Sequence, residues 1–182
     1  SLLIMLQGFL MHLRLVLRER SRKKFLEIWR PVLMRAMVGV PVELPPITKS
    51  EYPELLALWI RLRESVRGES VKNLNEIARL AGMDRMAARL IRGGGLHVRM
   101  LAIAAMGYIG DKSAWGELRE ALESENPALS LSSALSMVHI DPAEAVRELM
   151  PYIPKRKEWA SFKVANVLKE AGADVFSAPL AD

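Results

Sequence analysis

Three histidines, His12, His97 and His139, are the first residues to test for metal or proton-transfer chemistry. A zinc site needs further ligands at helical or loop spacing, and none of the three has one. Paired carboxylates come next. Glu117 with Glu120, and Glu144 with Glu148, stand three and four residues apart, which puts each pair on one helical face. General acid–base work would need surroundings that push two pKa values apart. These pairs fall on the outer side of helices, where solvated charge is the default. Ser130, Ser132, Ser133 and Ser136 lack the Gly-x-Ser-x-Gly elbow of a hydrolase nucleophile. Gly93-Gly94-Gly95 would need a preceding strand and a Gly-Lys-Ser/Thr ending to cradle phosphate. It has neither and is expected to be a flexible joint. Met100, Met106, Met137 and Met150 fall at apolar repeat positions and read as core. There are no cysteines, which excludes disulfides and thiolate metal sites. The chain therefore reads as non-catalytic, with no cofactor implied.

What would position such residues is a repeat. Shifted by 31 residues, the stretch from His97 to Ile153 overlies itself: Met106 on Met137, Ile109 on Ile140, Ala114 on Ala145, and Glu117-Leu118 on Glu148-Leu149. A fixed period of this size marks stacked helical hairpins, none of which can bury its apolar face alone. In the first unit Val98, Leu101, Ala102, Ala105, Met106 and Ile109 share a face, and Gly110 ends the helix. Asp111 caps a second helix carrying Ala114, Trp115, Leu118, Ala121 and Leu122. Asn126-Pro127 opens the third, with Leu129, Leu131, Ala134, Leu135 and Val138. Asp141-Pro142 opens the fourth, with Ala145, Val146, Leu149 and Ile153. The expected fold is all-α, a solenoid of hairpins with no sheet; few aromatics and no alternating Val/Ile/Thr runs point the same way.

The stretch VRMLAIAAMGYIGDKSAWGELREALESENPALSLSSALSMVHIDPAEAVRELMPYI resembles two successive HEAT repeats, over about a third of the chain. The likeness lies in the first helix ending in Gly-Asp or Asp-Pro, the Ala-x-x-x-Leu second helix and the Asn-Pro turn. Ser130 stands where many such repeats have arginine, and Ser132-Ser133 replaces a small apolar pair, which weakens the expected polar ladder between repeats. The resemblance implies a scaffold that presents a surface to partners.

The net charge of +5 is unevenly placed. Residues 1–35 hold eight Lys/Arg against two Glu, residues 61–99 nine against four acids, and residues 100–154 three against eight. A uniformly basic nucleic-acid binder would not be built this way. Ser1 is not an initiator, so a piece of a longer chain is expected.

Leu2 to Leu17 is almost wholly apolar, and Arg18, Arg20, Arg22, Lys23 and Lys24 follow at once. A spanning helix needs roughly 20 apolar residues; this stretch is sixteen residues long, with His12 and Arg14 inside. The cluster follows the apolar run, the reverse of a signal peptide. The reading is the inner end of a membrane helix, with Arg14, Arg18, Arg20, Arg22, Lys23 and Lys24 at anionic headgroups on the cytoplasmic side. A helix packed into a protein groove is the alternative.

Residues 1–24 are thus read as the apolar helix and juxtamembrane segment. Residues 25–53 form a helix that kinks or restarts at Pro31, then a Pro-rich strap. Irregular hairpins follow over 54–95, with Ser50 and Pro53 opening one helix and Ser70 capping another, and HEAT-like repeats over 96–182. A fragment beginning near Ser50 is expected to be soluble alone. A helix-turn-helix reader over 70–91 fits poorly, since Arg85 and Arg89 stand there without Asn or Gln to read bases. After Ile153, Trp159, Phe162, Val164, Ala165, Val167, Leu168 and Ala171 repeat the first-helix pattern up to Gly172.

More loosely, the chain resembles bacterial inner-membrane proteins with one spanning helix, a basic stretch such as RERSRKKFLEIWRPVLMRAM, a Pro-rich strap and HEAT repeats. That resemblance implies an accessory subunit beside a membrane enzyme such as a glycosyltransferase. The expected role is a membrane-tethered adaptor, single-pass in the inner membrane with its helical domain in the cytoplasm. It would hold a membrane protein or that protein's cytosolic domain through Glu117, Glu120, Glu123, Glu144 and Glu148. The alternative is a nucleic-acid-binding or DNA-repair solenoid, argued from fold analogy alone.

Overall fold

The computed structural model describes residues 2–156 and Trp159. Among these the chain is all-helical: α1 (Leu2–Met37), α2 (Tyr52–Ser65), α3 (Glu69–Leu80), α4 (Met83–Gly93), α5 (Leu96–Ile109), α6 (Trp115–Leu122), α7 (Pro127–Ile140) and α8 (Pro142–Leu149). Short 3-10 turns, Lys49–Glu51 and Lys112–Ala114, lead into α2 and α6.

Helix starts follow local side-chain chemistry. Asn126 accepts from the Ala128 and Leu129 amides at the head of α7, and Asp141 from the Glu144 amide at the head of α8. Each has a proline in the first helical turn, where a missing N–H costs nothing. Asp111 caps the turn before α6 by accepting from the Ser113 amide at 2.9 Å. Ser50 does not open α2. Thr48 opens the 3-10 turn that leads into it, with the Glu51 carboxylate accepting from the Thr48 amide at 2.9 Å, and Pro53 sits in the first turn of α2 itself. Nor does Ser70 cap α3, which starts one residue earlier behind Gly68.

Two expected breaks are absent. Helix α1 continues through Pro31 for 36 residues. Proline removes one donor from the helical ladder, and Pro31 is exposed, so the Glu27 carbonyl it leaves is on the water side. Gly93-Gly94-Gly95 is a tight corner, not a loose joint. A Cβ on Gly94 would sit 2.8 Å from the Leu90 carbonyl oxygen and 2.9 Å from Val98. The chain turns there so that α4 packs directly on α5.

One core runs through every helix. Helix α5 packs on α2, α4 and α7, while α7 packs on α5, α6 and α8. The expected face of α6 is fully buried. That of α7 is rotated so that Ser130, Ser133, Ser136 and Met137 are inside, while Leu135 and Val138 are only partly covered. Phe25, Trp29, Leu33 and Ala36 of α1 are buried, and α1 packs on α2 and α3. A fragment beginning at Ser50 would lose that part of the core. The expected first-helix pattern of 160–172 lies outside the described residues; Trp159 is buried and its ring stacks on Tyr152.

Candidate functional site

Polar side chains on and just before α6 bridge to side chains on and just before α8. Lys112 reaches Asp141 and, at 3.3 Å, Glu144. Glu148 accepts from the Trp115 indole at 2.7 Å and from the Arg119 guanidinium. The Tyr152 hydroxyl donates to Glu123, and Arg156 donates to the Leu122 and Ser124 carbonyls. One hairpin back, Arg92 pairs with Glu117 at 3.1 Å. Together these make a polar rail along the edge of the helix stack.

The rail explains the local titration. Lys112, and then the Glu144 amide, hold the Asp141 carboxyl below its usual value. Arg119 does the same for Glu148, helped by the Trp115 indole. The Tyr152 phenol is pushed up by donating to the Glu123 carboxylate.

Four of the five glutamates expected to dock a partner, Glu117, Glu123, Glu144 and Glu148, are therefore engaged inside the molecule. Glu120 is exposed. Such pairs at a surface are individually weak.

Several cations of the upstream helices also have partners. Arg79 donates to the Ile109 carbonyl at 2.9 Å and Asn75 to the Tyr108 carbonyl at 3.0 Å, closing the C-terminal end of α5, whose last carbonyls have no helical partner. The Arg63 guanidinium lies 5.3 Å from the Tyr108 ring centre. The Tyr108 hydroxyl donates to Glu64, and partial burial with that carboxylate raises its pKa. Arg67 donates to the Glu64 and Val66 carbonyls.

Three serines of α7, Ser130, Ser133 and Ser136, face inward. They are buried and donate to the carbonyls of Leu122 (2.8 Å), Leu118 and Ile103 (2.9 Å). Each hydroxyl proton is committed to a neighbouring helix, so the serines are rungs between helices. Their spacing of three along an otherwise apolar helix was the signal for this. It matches the helical period, so the serines share the face that packs on α5 and α6.

Helix α1 exposes Arg20, Arg22, Lys23 and Lys24. The side chains of Arg14 and Arg18 lie outside the described residues. An open groove of about 500 Å³ runs between α1, α2 and the start of α5, lined by Arg22, Phe25, Glu54, His97 and Leu101 among others. Among the described residues no group of His, Asp or Glu is close enough to hold a metal ion. Nor is any described helix long and apolar enough to cross a membrane. Compared with protein-family models, curated proteins and solved structures, the chain matches none.

Proposed function

We propose that the chain is a non-catalytic adaptor: an α-solenoid of HEAT-like hairpins, tethered to a membrane by the apolar first half of α1, that holds a protein partner near the bilayer. The observation carrying the scaffold half of this reading is the rail. Its bonds join residues 25 to 34 positions apart, from Arg92–Glu117 to Arg156–Leu122, a spacing in keeping with stacked hairpins. The tether half rests on the sequence of residues 2–24, apolar and then cationic. The partner is a membrane enzyme or its cytosolic domain, with the chain as accessory subunit on the cytoplasmic face of a bacterial inner membrane.

Partner docking falls to surface outside the rail, and Glu120 is the one residue of the five acids that remains exposed without a recorded bond among the described residues. Purification in mild detergent, compared between the full chain and Glu120→Lys, tests this. An integral membrane enzyme should be recovered in stoichiometric amount with the full chain and be lost or reduced with the variant. Stoichiometric retention on duplex DNA with a steep salt slope, and no such enzyme, would replace the adaptor by the nucleic-acid reading. The bonds of Arg67 and Arg79 to carbonyls at the ends of α2 and α5 argue against that outcome, because those two guanidinium groups are already used in closing helix ends.

A further inference from the structure

We propose that α1 lies along an anionic lipid surface with its outer face down, instead of crossing the bilayer, and that Ile28, Met34 and Val38 are its apolar contacts there. This rests on the membrane-tether reading and deepens it.

The helix is unbroken from Leu2 to Met37. From Phe25 onward its inner face is fixed: Phe25, Trp29, Leu33 and Ala36 are buried in the core. At 3.6 residues per turn the opposite side carries Arg20, Lys23, Lys24, Glu27, Pro31 and Met34, flanked by Ile28 and Arg35, with Val38 in the turn just after the helix. All are exposed. Ile28 is 53%, Met34 45% and Val38 65% open to solvent. An ordinary solvated face would be polar throughout. This one sets large apolar side chains among cations; between positions 18 and 38 seven Lys/Arg stand against two Glu. Cations with apolar residues on one exposed helix face are the composition of a helix that lies in the headgroup region.

Continuity of the helix decides the orientation. If residues 2–17 ran across a bilayer, the second half of the same rod would carry its outer face away from the lipid. Lying flat brings the apolar run, the cation cluster and the exposed apolar arc to one plane. It also removes the need for a span that no described helix is long and apolar enough to provide. An anionic bilayer fits better than an acidic protein groove, because the apolar stretch preceding the face is continuous with it and suits hydrocarbon.

The chain has no cysteine, so single substitutions give clean probe sites. Ile28→Cys, Val38→Cys and, as a remote control, Met150→Cys are labelled in the full chain with an environment-sensitive fluorophore. All three positions are exposed, 53%, 65% and 60% respectively. Each is mixed with vesicles of phosphatidylcholine alone or with added phosphatidylglycerol. With anionic vesicles the Ile28 and Val38 probes should shift to the blue and lose access to aqueous iodide, while the Met150 probe stays as in water. Arg30→Glu with Arg35→Glu should weaken binding about tenfold or more, as expected for cations near an anionic surface. If the chain floats with the vesicles but both α1 probes stay open to iodide, the flat orientation is wrong and the tether stands. If it floats with neither vesicle, both are wrong. Equal shielding on neutral vesicles would overturn the anionic preference.

Discussion

Gly107 of α5 and Ser136 of α7 meet with no room between them for a methyl group. A Cβ built on Gly107 would lie 2.7 Å from both Cβ and Oγ of Ser136. The contact sets how closely the two helices approach, and Ser136 also donates to the Ile103 carbonyl of α5 at 2.9 Å.

Gly107→Ala therefore sets two effects against each other. Alanine favours a helix interior by about 1 kcal/mol, while overpacking costs about 1–3 kcal/mol. Because the obstacle is the backbone and Cβ of a buried residue, the steric cost should win, giving a net loss of about 1–2 kcal/mol in urea unfolding. Gly116 of α6 has open space around its missing Cβ, and Gly116→Ala should gain about 0.4–1 kcal/mol. Stabilisation by both substitutions would mean that α5 and α7 are not in contact at this point.

The all-helical fold, the caps at Asn126 and Asp141, the buried face of α6 and much of that of α5 were legible in the sequence because they depend on local pattern. Of the face expected for α8 only Ala145 and Leu149 are buried, and Ile153 lies exposed beyond its end. Long-range placement was not legible. The serines of α7 read as departures from a repeat, since a hydroxyl's partner on another helix cannot be seen in its neighbours. Glu117, Glu123, Glu144 and Glu148 read as free surface for the same reason. Their partners Arg92, Tyr152, Lys112 and Arg119 stand 25 to 32 residues away. Gly93-Gly94-Gly95 looked loose because composition does not reveal how closely Leu90 and Val98 approach.

Acid stability should depend on the rail. The Glu148 carboxyl is held below 4.5 chiefly by Arg119. A lowered folded-state pKa stabilises the fold above the unfolded value, and that contribution is lost as pH falls through the folded one. Glu148→Gln should thus be less stable than the parent at neutral pH, with the difference shrinking from about pH 5 to about pH 3. A constant difference across that range, measured by thermal melts, would show that the ionised carboxylate contributes nothing.

Reversing Glu117, Glu120 and Glu123 together would look harmless from the sequence. Two of the three have partners, Arg92 and Tyr152. The triple lysine variant should lose clearly more stability than Glu120→Lys, which should stay within about 0.5 kcal/mol of the parent. Glu120→Lys is accordingly the better probe of partner docking. Equal stability of the two variants would mean that the Glu117 and Glu123 bonds are idle in solution.

The second half of α1 should behave as core. Leu33 is fully buried, and Leu33→Ala should cost about 2–5 kcal/mol. Chemical unfolding of the full chain reads this directly. A loss below about 0.5 kcal/mol, the range of ordinary surface substitutions, would mean that α1 is not seated on α2 and α3.

Flotation of the full chain on sucrose gradients tests the tethered-scaffold reading most directly. With phosphatidylcholine–phosphatidylglycerol vesicles at low salt the chain should rise with the lipid, and with phosphatidylcholine alone it should rise far less. Raising the salt should release much of it, as surface cations are screened. A chain that stays at the bottom of the gradient with both lipids at low salt would contradict the account.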